Sequence, residues 1–197
     1  TVASVIVILI NTSLIRYGGD LAVGAYGIIK RIAFLFVMVV MGFNQGMQPI
    51  AGYNFGARQY DRVNHVLKLT IILATSVVMG GFIIGEFFPR TVASVFTREK
   101  ELIDIVVPGM KIIFMVFPIV GFQMVTSNFF QSIGMPGKAI FMSLSRQVIF
   151  LLPFLLILPR IYGVNGVWYS MPASDFMASL VAAYLLVKQY RKYKVRN

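Results

Sequence analysis

The chain has 197 residues, of which 58% are hydrophobic and 13% charged, with a mean hydropathy of +0.80 and a formal net charge of +11. A water-soluble domain carries roughly 25% charged residues and must turn a polar face to solvent, so this composition excludes one; in a bilayer, apolar side chains face lipid while helices satisfy the backbone internally. The absence of cysteine excludes disulfides and thiolate metal centres, the one histidine, His65, cannot build a metal site by itself, and the positive charge sits in short clusters between apolar runs, as in membrane-flanking loops rather than a nucleic-acid face.

The fold class is therefore all-α, a polytopic transmembrane helical bundle, and at roughly 20 residues per crossing the length holds at most about six or seven spans. The chain begins inside an apolar run, with no Met and no charged leader, and reads as the interior of a longer protein. The first span covers residues 2–15, and Arg16-Tyr-Gly-Gly-Asp20 closes it as a turn. The second, 21–56, is too long for one untilted crossing; its ends project, or it bends at Gly42, Gly46 or Pro49. A polar connector holding His65 leads to the third, 67–88, stopped by Pro89 and Arg90. A mixed-charge segment precedes the fourth, 106–133, which ends at the turn Gly134-Met-Pro-Gly-Lys138. The fifth covers 139–158 and the sixth 167–187, separated by a turn at 163–166. Residues 1–187 form the membrane unit, and 188–197 a basic, solvated tail.

Charge sets the orientation. One side holds ten basic residues: Arg58, Arg62, Lys68, Lys138, Arg146, Lys188, Arg191, Lys192, Lys194 and Arg196. The other holds five, Arg16, Arg90, Arg98, Lys100 and Arg160, among several acids. The richer side faces the cytoplasm, which places the tail there.

Polar groups within spans are costly and face a bundle interior or a watery cavity. Asp175 is the only acid well inside a span, among Met171, Pro172, Phe176 and Met177. Lys30 lies at a similar depth in the second span, so the two meet if their helices adjoin; otherwise Lys30 and Arg31 snorkel to the headgroups. Asp175 either exchanges a proton or cation during transport or serves as a fixed ion-pair partner. Helical spacing puts Lys30, Phe34, Val37, Met41, Asn44, Gln45, Gln48 and Gly52 along one face. That stripe is a cavity wall or a helix–helix seam glued by amides. Gln123, Ser127 and Gln131 share a face of the fourth span beside Asn128, and Trp168, Pro172, Asp175 and Ser179 share one on the sixth. Prolines 49, 108, 118, 153 and 172 lie in four of the apolar runs, where they kink helices and free carbonyls. No phosphate-binding loop, Gly-x-Ser-x-Gly or His/acid cluster is present, so no catalytic residue is expected.

Several runs resemble one family. Gly42-Phe-Asn-Gln-Gly-Met-Gln-Pro-Ile-Ala-Gly-Tyr-Asn-Phe-Gly-Ala57 looks like the helix-end signature of MATE (multidrug and toxic compound extrusion) transporters. Phe88-Pro-Arg90 with Val95-Phe-Thr97 is similar to their next connector. Asn128-Phe-Phe-Gln-Ser-Ile-Gly-Met-Pro-Gly-Lys138 followed by Ser145-Arg-Gln147 resembles the next hairpin. Gly163-Val-Asn-Gly-Val-Trp168 with Pro172 and Asp175 resembles the start of the last helix. The match runs in order over nearly the whole chain, closest to the MepA-like bacterial branch.

The resemblance implies twelve helices in two six-helix lobes, this chain being the C-terminal lobe in a bacterial plasma membrane. It implies a secondary transporter, not an enzyme, exporting cationic amphipathic compounds in exchange for Na⁺ or H⁺, with no other cofactor. The partners implied are small cations, lipid and an N-terminal lobe. Some members place a cation-binding Glu in helix seven and an Asp in helix ten. The corresponding spans here offer Asn11, Ser13, Gln123 and Asn128, so coupling rests on Asp175, with Lys30, or on an acid in the other lobe. The substrate-cavity candidates are Phe34, Met41, Asn44, Gln45, Gln48, Gln123, Ser127, Asn128 and Trp168. A flippase for lipid-linked sugars or wall precursors shares this architecture, and its pyrophosphate cargo calls for several cavity Arg or Lys residues. A stand-alone six-helix channel or membrane subunit is the third alternative.

Overall fold

The structure is a computed structural model that describes residues 2–196, with side chains through residue 193. Every regular element among the described residues is helical: α1 (Val2–Gly56), α2 (Tyr60–Phe87), α3 (Pro89–Phe96), α4 (Lys100–Phe114), α5 (Phe117–Ser132), α6 (Pro136–Leu144), a π-helix (Ser145–Leu151), α7 (Leu152–Tyr162) and α8 (Val164–Arg196).

As one rod, α1 would run about 80 Å against a hydrocarbon layer of about 30 Å. Gly19 divides it, with φ 70° and ψ −169°, a conformation that glycine reaches because it has no Cβ. The break falls inside the turn expected at 16–20. The second part, 20–56, stays helical through Gly42, Gly46 and Pro49, so none of the three positions breaks it. At about 55 Å it tilts within the layer or projects beyond it.

Among the described residues, four helical stretches are long and apolar enough to cross a membrane, Val2–Gly56, Tyr60–Phe87, Pro136–Tyr162 and Val164–Tyr193, and α4 with α5 makes a fifth, bent by 52°. Dividing the first at Gly19 gives the six spans of the sequence. Two of the five prolines mark new starts: Pro118 lies in the first turn of α5 just after the bend, and Pro153 in the first turn of α7 just after the π-helix. Both are positions where a missing N–H costs little.

Close packing rests on small residues, as expected where lipid removes the hydrophobic drive between helices. A Cβ on Gly81 or Gly85 of α2 would lie 2.7 Å from Phe117 or Phe114, and one on Gly121 of α5 would lie 2.8 Å from Val78. Residues 188–196, expected as a separate solvated tail, continue α8 without interruption. Gln189 and Tyr193 are buried there, with the Tyr193 ring stacked on Tyr60 at 4.9 Å. One side of that last stretch is packed because the chain end lies across the start of α2.

Candidate functional site

Three of the sequence-derived candidates converge where α1, α4, the π-helix and α8 meet. Asp175 is buried, and Arg146 Nε lies 2.6 Å from its Oδ1. Arg146 belongs to the π-helix, so it is an intramembrane residue of the fifth span and not one of the basic-side loop residues with which it was counted. Its place seven residues into the 139–158 run was the available signal. The Lys30–Asp175 pairing is not formed. Lys30 is exposed and its Nζ lies 5.3 Å from the centre of the Tyr26 ring, a cation–π contact one helical turn away on α1.

Tyr26 also packs against α8, its ring centre 6.3 Å from that of Trp168. Trp168 is fully buried because Gly109 of α4 leaves room: a Cβ there would lie 3.2 Å from the indole and 3.1 Å from Ile29. Trp168 is thus core between α1, α4 and α8, not an open cavity residue.

The stripe on α1 splits into two parts. Towards its C-terminal end it is a seam with α5, where Gln48 Nε2 donates to Asn128 Oδ1 at 3.0 Å and Asn128 Nδ2 donates to the Met124 carbonyl at 2.9 Å. One turn on, a Cβ at Gly52 would lie 2.9 Å from the Ser132 carbonyl, so the backbones approach closely. Phe34, Met41 and Gln45 instead face outward from the bundle, with Phe34 55% and Met41 45% exposed. Between these parts, Asn44 is buried and neither polar atom of its side-chain amide has a hydrogen-bond partner; the buried Gln123 Oε1 also lacks one. Ser127 is half-buried on α5. The seam alternative therefore holds over the C-terminal part of the stripe, and the rest is an exposed face.

Among the described residues no group of three or more His, Asp or Glu side chains is placed to hold a metal.

The sequence model of the MatE family matches residues 2–157. The chain is 25% identical over 176 residues to the multidrug export protein MepA of Staphylococcus aureus (strain MSSA476), covering 89% of this chain and 38% of that protein. It thus spans about two fifths of the length of such relatives. Among solved structures it is 41% identical to a ligand complex of the MATE multidrug transporter DinF-BH, with a TM-score of 0.82 over 95% of this chain and 42% of the other. Outward-facing and inward-facing structures of a multidrug resistance MATE family transporter of the MOP superfamily are each 20% identical with a TM-score of 0.89, over 98% of this chain and 44% and 45% of theirs. The ordered motifs, the six-span bundle and the family match over most of the chain agree, and the chain belongs to the MatE family of multi-pass membrane proteins.

Proposed function

We propose that this chain is the C-terminal lobe of a secondary antiporter that exports cationic amphipathic compounds in exchange for Na⁺ or H⁺ across a bacterial plasma membrane. The observation that carries the reading is the family match across residues 2–157. The 41% identity to a multidrug transporter supports a drug-like substrate. The lobe superposes equally well on outward-facing and inward-facing relatives, which supports alternating access by lobes that move as units.

In this reading the outward face of Phe34, Met41 and Gln45 forms the C-lobe wall of the substrate path. Its soft apolar groups and one amide suit flat, weakly hydrated cations. Asp175 is the coupling group. An arriving proton or Na⁺ competes with Arg146 for the carboxylate, and the half-exposed guanidinium is free to leave towards the bundle surface. The flippase alternative is less well supported, because Arg146 is engaged by Asp175 and the basic groups that α1 itself places beside this face are Lys30 and Arg31.

The test is efflux of a fluorescent organic cation from vesicles holding the full-length protein, under imposed Na⁺ or H⁺ gradients. One of the gradients is expected to drive efflux, and Asp175→Asn to abolish that drive while leaving substrate binding in place. Indifference of the wild type to both gradients overturns the antiporter. Undiminished coupled efflux by Asp175→Asn removes that residue from the coupling.

A further inference from the structure

At the basic end of the bundle, a cleft of about 280 Å³ lies between α2 and α8. Its apolar lining comes from Leu67 and Ile71 of α2, Phe129 of α5 and Leu186 of α8. Lys68 and Arg191 line it from opposite helices, and both are exposed. The lining runs from residue 64 to 71 on α2 and from 186 to 193 on α8. That is about 10 Å along each axis, the depth over which a bilayer changes from headgroup to acyl chain. The stacked Tyr60 and Tyr193 rings hold the two helices together at the outer end, so the walls are fixed by packing.

Charge selects the occupant. Besides Lys68 and Arg191, this end carries Arg58, Arg62, Lys138, Lys188 and Lys192, with Asp61 as its one acid among the residues whose side chains are described. A second apolar helix would fill the deep part of the cleft but leave two cations facing it unpaired. A lipid with an anionic headgroup satisfies both ends at once, with an acyl chain against the apolar wall and the phosphate at the level of the cations. We infer that the α2–α8 cleft is a binding site for one anionic glycerophospholipid, gripped between Lys68 and Arg191. The inference needs only that the chain spans a bilayer and stands apart from the transport reading.

The test is native mass spectrometry of the full-length protein, with phosphatidylglycerol and phosphatidylcholine of identical acyl chains offered in equal amounts. The wild type is expected to retain phosphatidylglycerol preferentially. K68Q/R191Q removes two cations at the headgroup, each worth about a fivefold factor, and should weaken phosphatidylglycerol roughly 30-fold. R58Q/R62Q removes the same charge from the turn before α2 and the first turn of that helix and should keep the preference. Equal retention of the two lipids by the wild type overturns the site, as does an equal fall in both double variants. A photo-crosslinking residue in place of the exposed Val187, on the cleft wall, should gain the mass of one phospholipid. A crosslink to protein instead, from the same chain or another, also overturns it.

Discussion

Arg146 and Asp175 are unequal partners. The arginine side chain is 41% exposed and the aspartate side chain 11%. Asp175→Asn leaves a guanidinium with a long stem and an open surface within reach. Arg146→Gln leaves a buried carboxylate with no counter-charge, an arrangement that costs about 3–5 kcal/mol where a buried pair is broken. Arg146→Gln should therefore lower the thermal unfolding midpoint in detergent clearly more than Asp175→Asn, as followed by intrinsic fluorescence. The reverse order would mean that the arginine is the trapped member. Asp175 itself was legible as the one acid deep in an apolar run. Its partner was not, because distance along a span gives depth and says nothing about which helices adjoin. Lys30 had the right depth and sits over Tyr26 instead.

At the scale of elements, the α7–α8 hairpin depends on two glycines for different reasons. Gly163 takes φ 61°, which closes the turn, whereas Gly166 is a matter of space: an added Cβ would run into the backbone of Leu158 and Pro159. Gly166→Ala should thus destabilise by about 1–3 kcal/mol or more, since backbone cannot step aside as a side chain can. A detergent melting curve measures it, and an unchanged midpoint would show that the hairpin opens without loss. Hydropathy made the spans readable, and the turn at 16–20 was readable from its glycines. Pro49 showed the limit of that approach: packing holds residues 20–56 helical despite it. The short α3 was read as a connector, because its eight residues are too few for a periodic signal. The continuation of α8 through 188–196 was hidden by its basic composition, although Tyr193 anchors it.

For the whole molecule, moving Arg146 from a loop into a span leaves nine basic residues against five, so the asymmetry that sets orientation survives. A label at the C-terminus of the full-length protein should be reachable in intact cells only after permeabilisation. Labelling without it would invert the topology. The two-fifths coverage of MepA accords with one lobe of a two-lobe transporter. What covers the outward face of α1 depends on surfaces outside these residues, and for that reason helical spacing picked out the exposed stripe but not what it faces.

The π-helix at Ser145–Leu151 has a consequence for how the fifth span can change. Its i→i+5 bonding carries one residue more per turn than the α pattern, so whatever precedes it is turned by about 100° relative to an unbroken helix. The aim of Arg146 is thus a matter of register. Loss of a single residue from this stretch would re-phase α6 against α7 and point the guanidinium away from α8, with every chemical group still present. Evolution could uncouple this lobe by a length change that no comparison of residue types would notice.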